Sequence, residues 1–143
     1  MTAIEYLEQY KDATSEITRV EEEYKQEMEL IDNIRDPLGG AGMPHSGEIN
    51  KKVEKDAIRL EEKALEVKAM EVRAVEVRQE IVRTINRVRG PEADVLMEKY
   101  VKLEENGRLK TWRAVAEAVG YSEDNVYKLR RKGIAKVEEL IKR

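Results

Sequence analysis

The sequence predicts an all-α protein: a long antiparallel helical hairpin, paired as a coiled coil, followed by a C-terminal helix-turn-helix domain. Three observations predict this. Among 143 residues there is no Phe and one Trp, yet 41% are hydrophobic and 40% charged. Such a composition fits narrow apolar seams on otherwise solvated helices better than one aromatic-rich core. In two long stretches the apolar residues recur at steps of three or four, the spacing of one helical face. The last fifty or so residues switch to short helices separated by Gly and by hydroxyl or acidic caps.

The first stretch covers residues 3–35. Its stripe is Ile4, Leu7, Tyr10, Ala13, Ile17, Val20, Tyr24, Met28, Ile31 and Ile34. Thr2 is the expected N-cap, with Glu5 as its capping-box partner. At ~1.5 Å per residue the helix is about 50 Å long. Asp36 to Glu48 holds two Pro and four Gly in thirteen residues, which predicts a loop over 36–48. The second stretch, residues 49–89, carries a seam of Val53, Ala57, Leu60, Ala64, Val67, Met70, Ala74, Val77, Ile81, Ile85 and Val88. Glu76 with Arg73, and Glu80 with Arg83 and Arg87, stand at helical spacing on its charged face. Gly90-Pro91 ends it. Two seams joined by one loop predict an antiparallel pair, and pairing between chains satisfies the same pattern. The expected domains are therefore 1–89 and 90–143.

Within the second domain, Pro91 starts a helix expected to reach about Glu105, and Asn106-Gly107 stops it. Thr111 caps a helix from Trp112 to Val119, Gly120 turns the chain, and Ser122 caps a last helix to about Ile141. Gly133 reads as a tolerated weak point in that helix.

Charge is distributed unevenly behind a net value of −3. Residues 1–35 carry −6, residues 49–90 carry +3 and residues 91–143 carry +2. Lys128 to Lys136 holds five cations and no acid. No apolar run is long enough to span a bilayer, and the first residues form no secretory signal, so no membrane partner and a cytoplasmic location are expected. Cys is absent and His45 is the single His. Those counts remove disulfides, thiolate zinc sites, a Cys nucleophile and any two-His metal motif. GGAG at 39–42 lacks the Lys of a phosphate-cradling loop. Acids alternate with bases as on solvated faces, so neither enzymatic activity nor a cofactor is expected, and His45 reads as a bystander.

The functional signal lies in the tail. Counting Trp112 as the first of twenty positions, Val115 and Ala116 fall fourth and fifth, and Val119 and Gly120 eighth and ninth. Val126 and Leu129 fall fifteenth and eighteenth. This is the spacing of a DNA-binding helix-turn-helix. Ala116 must be small under the crossing helix, Gly120 must reach positive φ, and the branched residues fill the wedge. The outward face is then Ser122, Glu123, Asp124, Tyr127, Lys128 and Arg131. Lys128 and Arg131 suit guanine edges. Arg130, Lys132 and Lys136 suit phosphates. Ser122 can also hold a phosphate at the helix N-terminus. Glu123 and Asp124 either accept from cytosine or complement the helix dipole. Trp112 reads as core, and Tyr121 packs in the turn or touches the DNA backbone.

The segment LMEKYVKLEENGRLKTWRAVAEAVGYSEDNVYKLRRKGIAKVEEL resembles region four of bacterial sigma factors. With EYLEQYKDATSEI near the start and the GMPHSG loop, nearly the whole chain resembles the ArpU/RinA-type phage transcriptional regulators. The resemblance implies a sigma-like regulator of phage or prophage late genes that places its terminal unit on double-stranded promoter DNA in a bacterial host. Ser122, Asp124, Asn125, Lys128 and Arg131 match the DNA-reading positions. Host RNA polymerase, and a second copy joined through the coiled coil, are the further partners this implies. Two alternatives use the same elements. A small terminase-like packaging subunit would form rings of eight or more copies, and a coiled-coil module would bind polymerase without reading DNA.

Overall fold

A computed structural model describes residues 1–35 and 46–142; for residues 32–35, 46–50 and Val53 it describes the helical backbone alone. The expected loop over 36–45, with His45, lies outside the described residues, as do the side chains of Ile34 and Val53. The described residues form five α-helices: α1 (Ala3–Arg35), α2 (Ser46–Val88), α3 (Gly90–Leu96), α4 (Trp112–Val119) and α5 (Glu123–Lys142). A π-helical turn, Met97–Val101, continues α3. There is no strand among the described residues. None of their helices is long and apolar enough to cross a membrane.

The capping box at the start of α1 is formed: Glu5 N–H donates to Thr2 Oγ1 and Thr2 N–H donates to Glu5 Oε2, each at 3.2 Å. The second helix begins at Ser46 rather than at residue 49, so the loop expected to reach residue 48 ends earlier.

Residues 1–15 and 72–143 form one compact unit and residues 16–71 another. The division therefore does not fall at residues 89 and 90. The reason is a shared core. Ala3, Tyr6 and Leu7 of α1, Ile81, Ile85 and Val88 of α2, and Leu96, Tyr100, Val101 and Val137 bury one another in a single cluster. Leu7, Ile81, Ile85 and Val137 have no solvent exposure at all. The Tyr6 hydroxyl hydrogen-bonds Thr84 Oγ1 at 2.8 Å, which ties α1 to α2 in the same region. Burial pushes the Tyr6 phenol above its ordinary pKa, against the opposing pull of the Thr84 hydrogen bond.

In the unit of residues 16–71, charge joins α1 to α2. Lys63 Nζ lies 3.1 Å from Glu27 and 3.7 Å from Glu23, and Arg59 Nε lies 3.6 Å from Glu27. The partners move back along α2 as they move forward along α1, so the two helices run in opposite directions there. Val20 and Ile31 are buried, in keeping with the seam read from the sequence.

The helix from Pro91 is shorter than the sequence suggests. It ends at Val101 instead of near Glu105, in a wide turn where the Lys102 N–H donates to the Met97 carbonyl at 2.9 Å. Two consecutive side chains of that turn, Tyr100 and Val101, are buried in the core. Beyond it, Glu104 N–H donates to the Arg108 carbonyl at 2.9 Å, and Gly107 supplies the positive φ of 79° that closes the turn.

Glu98 anchors this segment. Its carboxylate accepts from Lys102 at 2.8 Å and from Lys110 at 2.7 Å. Burial pushes the Glu98 carboxyl pKa up, but the hydrogen bonds and charges of the two lysines outweigh it and hold the group below its ordinary range. A depressed folded pKa means that the contribution is full above the ordinary carboxylate range. It is lost as pH falls through the lower folded value. Glu98→Gln is expected to lower stability by about 1 kcal/mol or less at neutral pH. The difference should shrink when the pH is taken below the ordinary carboxylate range. Urea unfolding at the two pH values measures both.

Gly133 also departs from its expectation. It is no tolerated weak point but a close-approach site, because a Cβ there would lie 3.0 Å from Leu96 Cδ1 and 3.2 Å from Leu96 Cγ. Here α5 passes tightly over α3. A bulky β-branched side chain would force the two apart, so Gly133→Val should destabilise the unit by about 1–3 kcal/mol in thermal or urea unfolding.

Candidate nucleic-acid interface

The tail folds from its caps inward. Thr111 Oγ1 accepts from Ala114 N–H at 3.2 Å and starts α4. Gly120, at φ 78°, ends α4 in the left-handed conformation, and its N–H donates to the Ala116 carbonyl at 2.9 Å. The Tyr121 N–H donates to the same carbonyl at 3.2 Å. No atom lies within 4 Å of a Cβ at Gly120, so the backbone angle rather than space requires glycine. Ser122 Oγ accepts from Asn125 N–H at 3.2 Å and starts α5. Glu123 and Asp124 occupy its first turn, where carboxylates suit the positive end of the helix.

The side chains between α4 and α5 form a second core cluster of Val95, Val115, Ala116, Val126 and Leu129, with Trp112 and Val119 at its edge. Val115 and Val126 are fully buried. Burial on one side of α5 leaves the other side to solvent. Ser122, Glu123, Asp124, Asn125, Tyr127, Lys128, Arg131 and Lys132 are all exposed. Among the described residues no ion pair engages Lys128, Arg131 or Lys132.

Two of the expected phosphate contacts have partners within the protein. Arg130 is half-buried, with its guanidinium carbon 4.9 Å from the Trp112 ring centroid, so it packs inward instead of facing solvent. Lys136 Nζ lies 3.6 Å from Glu92 Oε1 on α3, which partly offsets its charge.

Trp112 is half-buried, consistent with a core role, and it also organises its neighbours. Lys99 Nζ sits 4.4 Å from its ring centroid, and the Tyr127 ring lies 5.7 Å away at 49°. Burial, and then the nearby Arg130 charge, push the Lys99 ammonium below its ordinary pKa. Its Nζ donates to the Lys110 carbonyl. Burial pushes the Tyr100 phenol up, against the opposing hydrogen bond and charge of Arg130. Tyr121, in the turn, is 40% exposed, so it leaves much of its ring to solvent.

Sequence reasoning passed over two exposed cations, Arg108 before α4 and Arg113 in its first turn. Arg113 pairs loosely with Glu117 at 3.8 Å, with both side chains mostly in solvent. The signal that could have found Arg113 is its place next to Trp112, whose ring contacts Tyr127 on the exposed side of α5.

Searches against protein-family models, curated proteins and solved structures find no match for this chain.

Proposed function

We propose that this protein is a sequence-specific DNA-binding regulator of transcription. In this reading α4 and α5 are the two arms of a helix-turn-helix, and α5 is the recognition helix that enters the major groove. The observation that carries the reading is the free cationic surface of α5. Lys128, Arg131 and Lys132 are exposed and unpaired among the described residues, on a helix held by the Val115, Ala116, Val126 and Leu129 wedge. Lys128 and Arg131 donate to guanine O6 and N7. Lys132 and Arg113 face phosphates. Ser122, Asn125 and the acidic pair Glu123-Asp124 border the same groove.

The oppositely running parts of α1 and α2, joined by Glu23, Glu27, Arg59 and Lys63, support a coiled-coil hairpin for residues 16–71. In this account the hairpin joins two copies or holds a partner such as host RNA polymerase. The resemblance to sigma region four and to ArpU/RinA-type regulators supports promoter DNA of phage or prophage late genes as the target.

Selection of bound duplexes from a random pool, followed by titration of the winner at several salt concentrations, tests the proposal. Enrichment of one motif is expected. Affinity should fall with salt by a slope of about 0.9 per phosphate contacted, and Lys132→Ala should reduce that slope by about 1. A pool that yields no enriched sequence, with no salt-dependent binding to any duplex, overturns it.

A further inference from the structure

We propose that Tyr127 reads the C5 methyl group of a thymine in the major groove; the inference rests on the DNA-binding reading above and names one feature of the bound sequence. The first two turns of α5 carry three apolar residues, and two of them, Val126 and Leu129, are buried in the wedge. Tyr127 is the third, and 38% of it remains exposed. It is thus the one sizeable apolar surface that this stretch of helix presents to solvent. Around it at helical spacing stand Glu123, Asp124 and Arg131, all exposed and all suited to polar base edges.

The tyrosine is also held in place. Its ring rests against Trp112 at 5.7 Å and 49°. Trp112 is in turn fixed by Lys99 at 4.4 Å and Arg130 at 4.9 Å, and by its place at the edge of the wedge. Arg130 therefore serves the site indirectly, by setting the platform on which Tyr127 rests. An exposed ring held by a buttress loses little side-chain freedom on binding, which favours contact with a defined atom over a loose one. In the major groove the one apolar group that a base pair offers is the thymine methyl. The apolar surface of the ring therefore has one matching group on the base edges, and the hydroxyl stays available for a polar contact.

The test uses the full chain and the duplex recovered from the random pool. Each thymine is replaced singly by deoxyuridine, which removes the methyl and preserves the base pair. For the unmodified protein, one replacement should weaken binding about fourfold, the fold-change of one methyl group withdrawn from burial. Tyr127→Ala should bind the thymine and deoxyuridine duplexes equally, Tyr127→Phe should retain the discrimination, and Tyr121→Ala should retain it as well. Thermal unfolding of each variant reports whether the Trp112 platform survives, and the deoxyuridine arm on the unmodified protein needs no variant at all.

A protein indifferent to every deoxyuridine replacement overturns the inference while leaving DNA binding intact. So does a Tyr127→Ala protein that still discriminates, or a Tyr121→Ala protein that does not. Failure to recover any duplex removes the DNA-binding reading itself, and this inference with it.

Discussion

Replacing Lys128 and Arg131 together by alanine should weaken binding to the selected duplex by about 1–3 kcal/mol for each lost base contact. Both side chains are exposed, and no ion pair engages them among the described residues. Their removal should leave the wedge beneath them undisturbed, since Val126 and Leu129 supply the buried side of the helix. The loss should therefore appear in affinity for the selected sequence and not in the unfolding midpoint. It should also narrow the gap between selected and random DNA, because base contacts carry sequence information and phosphate contacts do not. Fluorescence anisotropy with both duplexes measures the gap directly. Equal losses on both duplexes would move Lys128 and Arg131 to the phosphate class.

Leu7→Ala should destabilise the protein by about 2–5 kcal/mol, although residue 7 stands more than a hundred positions from the centre of α5. Leu7 has no exposure, and it shares one cluster with Ile81, Ile85, Leu96, Tyr100 and Val137. Truncation leaves a cavity lined by helices from both ends of the chain, and rigid helices close it only in part. Because Val137 lies on α5, the loss should extend to that helix. Hydrogen exchange should show faster opening of α5 amides together with those at the start of α1. If α5 protection stayed unchanged while α1 opened, the two ends would not share a cooperative core.

Most of the local structure was legible in the sequence, and the reason is periodicity. Steps of three or four define a helix whatever its partner, so the bounds of α1, α4 and α5 could be placed within a residue or two. The caps were equally local: Thr2 with Glu5, Thr111, Ser122 and Gly120 each act on atoms within four residues. What the sequence hid depends on partners far along the chain. The seams of α1 and α2 are continuous, and nothing in them marks where Leu7 or Ile85 leaves one neighbour for another. The π-turn at Met97–Val101 is concealed because nothing in MEKYV separates a wide turn from an ordinary helical one. Gly133 looked like a propensity defect because its reason, Leu96, lies on another helix.

Within the candidate site the same division holds. The exposure of Lys128, Arg131 and Lys132 follows from α5 periodicity alone. The inward turn of Arg130 does not, because it depends on Trp112 being within reach across the turn. Lys136 was read as a phosphate contact from charge density, and the pairing with Glu92 requires knowing that α3 lies beside α5. Charge runs in a sequence thus count the cations, and only the packing decides which of them remain free.

The central claim is that the outward face of α5 meets DNA. Titration of isotope-labelled protein with a short duplex at low salt, followed amide by amide in NMR spectra, tests it most directly. Non-specific binding suffices, since phosphate contacts alone bring the surface to the duplex. The account predicts shifts concentrated from Ser122 to Lys132 and at the start of α4, fading as salt is added. Spectra that stay unchanged, or shifts confined to residues 16–71, would contradict it.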